Sequence, residues 1–423
     1  MKKIKLAVVG CGDRGKAYAA HALRNPEEAE IVAAIDINPF ALKQMEELHH
    51  VPKDRQFTNL DDFLRAKIEC DSVINATMDQ MHYETAKKII LAGYNQLVEK
   101  PVVNNREQLL ELRDLAKEKD VSLLVCHVLR YTPFYRTIKA ILNSGEIGKI
   151  STIEMCEHVG VVHYASSYVR GNWRSEGECG SGFLLAKCCH DMDLLCWLNN
   201  QTKPDKVSSV AARGIFTSDN APEGATKYCY NCPHKDTCLY DAETIHVDIP
   251  FGNTFARMNR PVEEISREEK LEFLKTDDFG RCVYKFGYDL VDRQNVSVLF
   301  ENGSVGTLTV VAASSDPCRE IRIVGTKGEI KGRLEDNKLS VHTFVHDKKL
   351  FTVNKREIDL SKEIVYGAHS GGDINLMMDY VRYLNGDNSS ISLTSINDSI
   401  NGHLCVYAAE ESRKTDRTIK IED

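Results

Sequence analysis

The first third of the chain alternates short apolar runs with amphipathic stretches. Residues 5–9, 31–36, 72–76, 96–98 and 122–126 are apolar on both faces and predict strands. Between them a helical period predicts helices over about 15–24, 40–49, 59–66, 83–91 and 106–118. Strands that read apolar on both faces suit a parallel sheet covered by helices on either side. Strand and helix in strict alternation predict a doubly wound α/β unit over residues 1–127.

After about Val128 the texture changes. Residues 296–300, 305–311 and 321–324 alternate apolar and polar positions. Turn signals at Asn302-Gly303, Thr326-Lys327-Gly328 and Glu335-Asp336-Asn337 separate such runs and predict hairpins in an antiparallel sheet. Two helices close the chain, near 373–384 and 395–415. The second unit spans 128–423, with an excursion poor in periodic pattern at about 220–261.

Composition narrows the function classes. A formal net charge of -8 over 423 residues argues against a general nucleic-acid binder. No run of about 18 apolar residues predicts a membrane span. The apolar run after Met1-Lys2-Lys3 is short and enters a glycine loop rather than a cleavage site. The expected compartment is the cytoplasm, where the 14 cysteines stay mostly reduced.

Gly10-Cys11-Gly12-Asp13-Arg14-Gly15 follows the first strand and opens the first helix. Three glycines at this spacing permit a tight turn, close approach to a pyrophosphate and close helix–strand packing. The phosphates then sit at a helix N-terminus. Asp36 ends the second strand, where an acid holds ribose hydroxyls and repels a 2′-phosphate. NAD is therefore expected over NADP. The candidate cofactor residues are Gly10, Cys11, Gly12, Asp13, Arg14, Gly15, Asp36, Thr77, Glu99 and Lys100.

Leu97-Val98-Glu99-Lys100-Pro101, together with the glycine loop, resembles the Gfo/Idh/MocA oxidoreductases. Further resemblance lies in Arg130-Tyr131-Thr132-Pro133, Gly180-Ser181-Gly182 followed by His190 and Asp193, and Gly371-Gly372-Asp373. It implies a Rossmann domain and a C-terminal α/β domain with an open, mostly antiparallel sheet. It also implies an active site between the two and a homodimer or homotetramer built on that sheet. The implied reaction is hydride transfer between a nicotinamide and a hydroxyl-bearing carbon of a sugar, sugar acid or cyclitol.

Lys100 matches the family's catalytic lysine, and a lysine can orient a substrate hydroxyl and assist its proton transfer. His190 suits proton exchange near neutral pH. Lys187, His190 and Asp193 are spaced by three and are expected on roughly one helix face. Many family members carry an aspartate four residues before the histidine. Ala186 stands there in this chain, so Lys187 or Asp191 is expected to take its place. Candidate substrate residues are Arg130, Tyr131, His163, Arg170, Asn172, Trp173, Asp193 and His369, which combine aromatic and hydrogen-bonding groups.

Cys229, Cys232 and Cys238 form a C-x2-C-x5-C pattern. A structural zinc is one reading, with His234, Cys188 or Cys189 as fourth ligand. An iron–sulfur cluster and plain reduced or disulfide-bonded cysteines are the others. Three functions stand side by side: a dehydrogenase, an NAD-dependent glycosidase acting by transient C3 oxidation, and an NAD(H)-sensing regulator.

Overall fold

The structure is a computed structural model that describes residues 2–249, 254–346, 352–363 and 368–422. The N-terminal sheet is built from β1 (Ile4–Val9), β2 (Ala29–Ile35), β3 (Gln56–Phe57), β4 (Ser72–Asn75), β5 (Asn95–Val98) and β6 (Leu123–Val125). Helices α1 (Asp13–Arg24), α2 (Pro39–His49), α3 (Leu60–Ala66), α4 (His82–Leu91) and α5 (Arg106–Glu118) connect them. The strand order is β3-β2-β1-β4-β5-β6, all parallel. β1 and β4 are buried over nearly their whole length, which explains their unbroken apolar run. The order reverses at β1, and its neighbouring strand ends frame a crevice above the glycine loop.

The second sheet has nine strands. They are β7 (Ile150–Gly160), β8 (Pro204–Ala212), β9 (Arg293–Phe300), β10 (Val305–Ser314), β11 (Cys318–Gly325), β12 (Gly328–Arg333), β13 (Lys338–Phe344), β14 (Val353–Asp359) and β15 (Ile419–Lys420). Their order is β14-β13-β12-β11-β7-β10-β9-β8-β15. Only β7 and β10 pair in parallel; all other neighbours are antiparallel. β9 alternates exposed and buried residues at every position, so one face is open and the other packs on helices. The packed face meets the helix Cys189–Leu198 through Leu194, Leu195, Val298 and Leu308, within one large core.

Three differences from the sequence reading matter. First, the irregular excursion runs from the end of β8 to the start of β9, beyond the 220–261 expected from periodicity. Its helix Arg267–Leu274 carries a complete capping box, Ser266 with Glu269. Second, the helix expected to carry Lys187, His190 and Asp193 is broken. Phe183–Ala186 and Cys189–Leu198 are separate helices, with Lys187 and Cys188 at the joint. Third, the helix Gly372–Leu384 does not serve the second sheet. Its Leu376, Met377, Tyr380 and Val381 complete the N-terminal core with Ile4, Leu6 and Val8.

Candidate active site

A cleft of about 820 Å³ lies between the two sheets. Its lining includes Gly12, Arg14, Thr77, Glu99 and Lys100 from the N-terminal unit. His163, Tyr168, Trp173, Lys187, His190, Arg319 and His369 line it from the other side.

The glycine loop is shaped by close backbone approach. Gly10 has φ +84°, and a Cβ there would meet the Ala76 carbonyl oxygen at 2.4 Å. A Cβ on Gly15 would meet the Gly10 carbonyl oxygen at 2.0 Å. Gly12 is different: nothing lies within 4 Å of its Cβ position. Gly12 is the N-cap of α1 and carries no side-chain cap. The helix start therefore faces open space, as an anion site requires. The Asp36 carboxylate sits at the end of β2, accepting the Cys11 N–H and the Asn38 N–H at 2.7 Å each. The Cys11 thiol turns into the core, and burial pushes it up to about 12. Only the backbone of Cys11 belongs to the loop's working surface. Thr77 lines the cleft and donates to Asn75 Oδ1 at 2.9 Å.

Below the loop runs a buried polar network. Arg14 Nε donates to Glu99 Oε1 at 2.6 Å, and Arg14 Nη2 donates to Asp373 Oδ1 and to the Tyr18 hydroxyl. The Tyr18 hydroxyl donates to Glu99 Oε1 at 2.6 Å, and Glu99 Oε2 accepts the Lys100 N–H at 2.8 Å. Burial alone would raise the Glu99 carboxyl, but Arg14 and Lys100 hold it below its usual range. Asp373, from the helix Gly372–Leu384, also accepts from His369 Nδ1 at 3.1 Å. Burial opposes its ionisation, yet His369 and Arg14 hold it down to about 2. Arg14 and Glu99 thus fix the floor, and this fixes the backbone on which Lys100 stands.

Lys100 Nζ donates to the carbonyl oxygen of Ala186 at 2.8 Å. This is the position where the family pattern places an aspartate. His190 lines the cleft, and its Nδ1 has no hydrogen-bond partner among the described residues. Burial, then the Lys100 cation, hold its pKa well below the ordinary imidazole range. His127 lies behind it, ring centroids 5.9 Å apart, and His369 beside it at 5.8 Å.

The opposite wall holds a buried charge cluster. Glu157 on β7 lies 3.2 Å from Lys187 Nζ and 2.8 Å from Arg319 Nε. Arg319, on β11, also pairs with Asp191 at 2.8 Å. Burial pushes the Asp191 carboxyl up to about 6 against the pull of Arg319. Arg319 and Lys187 line the cleft, and Asp191, fully buried, stands behind Arg319. Asp191 therefore holds the arginine rather than replacing the missing aspartate at the cleft surface.

Several expected substrate residues do face the cleft. His163 lines it, driven down to about 2 by burial and by Lys187 and Lys100. Asn172 accepts from Arg257 Nη2 at 3.0 Å. Trp173 Nε1 donates to Asp79 Oδ2 at 3.1 Å, which ties the two walls together. Four others do not line it. Arg130 and Asp193 form a buried bidentate pair, Nε to Oδ2 at 2.7 Å and Nη2 to Oδ1. Asp193 follows His190 in the helix Cys189–Leu198 and turns instead to Arg130 and His127, while the break at Lys187 sets Lys187 apart from both. Tyr131 is buried and bonds Thr394 at 3.2 Å. Arg170 is buried in the excursion. Sequence reasoning missed Arg319 and Asp79 as wall residues, and Glu157 behind them. Glu157 and Arg319 are ordinary charges on alternating strands; only the β7–β11 pairing shows them to be inward-facing neighbours.

The His234 Nε2 bonds the Glu223 carbonyl at 2.7 Å, and Cys188 and Cys189 are buried by the active-site helix. His234 lines the same cavity as Cys229, Cys232 and Cys238, with its Nε2 turned to that carbonyl, whereas Cys188 and Cys189 lie elsewhere. Among the described residues no helix is long and apolar enough to cross a membrane.

Comparison with known proteins agrees with this architecture. The model of the Gfo/Idh/MocA oxidoreductase family, NAD-binding Rossmann fold, matches residues 4–127. The model of the family's C-terminal alpha/beta domain matches residues 139–421. The putative oxidoreductase YteT of Bacillus subtilis (strain 168) is 23% identical over 395 residues, covering 88% of this chain and 87% of its own. The scyllo-inositol 2-dehydrogenase (NADP(+)) IolW of the same organism is 24% identical over 210 residues, 50% of this chain and 56% of its own. Among solved structures, levoglucosan dehydrogenase in complex with NADH and levoglucosan superposes with a TM-score of 0.70 at 18% identity, covering 100% of both chains. The WlbA dehydrogenase of Chromobacterium violaceum, in complex with NADH and UDP-GlcNAcA, gives 0.67 at 18%, covering 100% of this chain and 97% of its own. Both cover the whole chain, at identities that speak for the fold alone. With the family models covering both sheets and the helices between them, the chain belongs to the Gfo/Idh/MocA oxidoreductases and carries their NAD-binding Rossmann fold.

Proposed function

We propose that the protein is an NAD-dependent dehydrogenase acting on a hydroxyl-bearing carbon of a sugar, sugar acid or cyclitol. One observation carries this reading. Lys100 Nζ and the unpartnered, neutral His190 ring share a cleft with the open start of α1.

The cofactor fits the residues present. Gly12 leaves a bare helix start for the pyrophosphate, and Asp36 stands where a ribose is held. The carboxylate of Asp36 favours NAD over NADP by repelling a 2′-phosphate. Bound there, the nicotinamide supplies the hydride acceptor.

The chain's own residues do the rest. An ammonium has three donors, and one of those on Lys100 is used by the Ala186 carbonyl. The others are left to orient a substrate hydroxyl. His190 is kept neutral by burial and by Lys100, so it can take the hydroxyl proton as the C–H bond gives up its hydride. Tyr168 and Trp173 offer ring faces to a sugar, while Arg319 and Lys187 offer donors to hydroxyl or carboxylate oxygens. Levoglucosan dehydrogenase binds levoglucosan and WlbA binds UDP-GlcNAcA in their solved complexes, which supports a carbohydrate-like substrate. The open face of the nine-stranded sheet, with Val210, Leu299 and Val305 exposed, is where a homo-oligomer would form.

The test is mass spectrometry of products after incubation with NAD+ and a panel of sugars, cyclitols, uronic acids and glycosides. A product lighter by two hydrogens, with NADH formed, is the expected result. A cleaved glycoside without accumulated NADH would replace this reading with the redox-assisted glycosidase. Tight NADH binding with no product from any substrate would leave only a sensor of the cofactor.

A further inference from the structure

The excursion between β8 and β9 holds a small cavity of about 20 Å³. Four cysteines line it: Cys229, Cys232, Cys238 and Cys282. The last lies beyond the excursion predicted from sequence, and the fold brings it in. Tyr228 and Arg281 form an isolated antiparallel bridge, and the Cys282 N–H donates to the Lys227 carbonyl at 2.9 Å. This pairing sets Cys229 and Cys282 on adjacent segments. The Cys232 N–H donates to the Cys229 carbonyl at 3.1 Å, closing the C-x2-C turn.

Arg170 is the second, independent observation. It is fully buried and lines the same cavity. Its Nε donates to the Arg281 carbonyl at 2.7 Å, and Nη2 donates to the Tyr240 carbonyl at 2.7 Å and to Cys229 Sγ at 3.6 Å. Nη1 has no hydrogen-bond partner, and among the described residues no carboxylate pairs with this guanidinium. Asp241 lines the cavity too, its Oδ2 accepting from the Thr244 N–H at 3.0 Å and its Oδ1 buried without a hydrogen-bond partner. An arginine cannot shed its proton in a protein. A buried cation with no directly paired anion is costly. Thiolates in the cavity would pair with it.

We propose that Cys229, Cys232, Cys238 and Cys282 form a four-thiolate zinc site that fastens the excursion to the substrate wall through Arg170. The room available suits one ion. As they stand the thiols do not converge: among the described residues no three His, Cys, Asp or Glu side chains are gathered as a metal site. Each cysteine can turn about its one χ1 torsion between staggered wells, the rearrangement that loading would use. Arg170 ends the segment that presents Ser167 and Tyr168 to the cleft. The ion therefore sits directly behind the surface that meets substrate, in a structural role.

The zinc site does not depend on the reaction proposed above, and its test reads metal rather than turnover. The full chain is purified and its metals are measured, together with acid-labile sulfide. The expected result is one zinc per chain, released in step with modification of four thiols by a thiol-specific reagent. Cys282→Ser should lose the zinc, or bind it at least roughly tenfold more weakly, while still quenching NADH fluorescence as a check of folding. Cys156→Ser, on the open sheet face, should keep it. Iron with sulfide in place of zinc would overturn the mononuclear assignment. A chain that holds no zinc as isolated and takes up none on titration would overturn the site itself, as would undiminished zinc in Cys282→Ser.

Discussion

The two walls of the cleft are built by opposite rules. The cofactor wall works through backbone: a turn that only glycine allows at Gly10, a bare helix start at Gly12, and strand ends at Asp36 and Thr77. The substrate wall works through charged side chains taken out of water: Glu157, Lys187, Asp191 and Arg319. A backbone device must recur at fixed spacing, because a turn and a helix start have fixed lengths. A charge cluster needs only that its members meet, and these come from β7, a broken helix and β11. The first kind of wall is general to a cofactor. The second kind can change without disturbing the first.

Lys100 stands at the boundary and should show the largest effect. Lys100→Met is expected to cut turnover roughly 10³-fold or more, with NADH affinity little changed in a fluorescence titration. Comparable turnover by the variant would detach the chemistry from this junction. The charge cluster is tested next. Arg319→Met leaves Asp191 and Glu157 buried with less compensation, and should cost about 3 kcal/mol in urea unfolding. Adding Asp191→Asn should restore part of that loss. If the single variant unfolds like the parent, the wall is not held by its charges.

Acid should also separate the walls. His127, His190 and His403 are buried and held below the ordinary imidazole pKa, His403 at about 4. In the unfolded chain these rings take up protons below about pH 6.5, while in the folded chain they stay neutral. The unfolded state then binds more protons, so stability falls as pH falls, by about 1.4 kcal/mol per pH unit for each ring. Asp191 works the other way over a lower window. Its raised pKa means that stability is lost as pH rises from the unfolded carboxylate's value through about 6. Urea midpoints across this range measure the sum, and a flat profile between about pH 6.5 and 5 would show that these rings are not buried as described. The smallest effect belongs to the cofactor wall. Asp36→Ser should narrow the preference for NAD over NADP by roughly tenfold, read as the ratio of the two dissociation constants.

The same division explains what could be read from the sequence. The glycine loop, Asp36 and the Glu99-Lys100-Pro101 element are contiguous, and their surroundings of strand and helix are strongly periodic. Five strands of the first sheet and β9, β10 and β11 of the second followed from apolar runs and alternation, whereas β3, β7, β8 and β12 to β15 did not. The kink at Lys187 was not visible, because Leu184 to Leu195 is apolar on most sides and offers no clear period to break. Arg130 and Asp193 looked like site residues because they are charged and lie near motifs, yet they satisfy each other inside the core. Arg319 and Glu157 looked like ordinary strand charges, and β7–β11 pairing is a contact across more than half the second unit. Cys282 escaped because its pairing with Lys227 depends on a bridge between two irregular segments.

The helix Gly372–Leu384 has a consequence for how the chain is made. Its Leu376, Met377 and Tyr380 are part of the core around β1, and the Val125 N–H donates to the Thr394 carbonyl at 2.9 Å. The β1 side chains thus find part of their packing more than 350 residues further along the chain. A fragment ending near His127 would leave that apolar seam open to water. During synthesis the nucleotide-binding half has to wait, partly uncovered, until the helix Gly372–Leu384 has emerged.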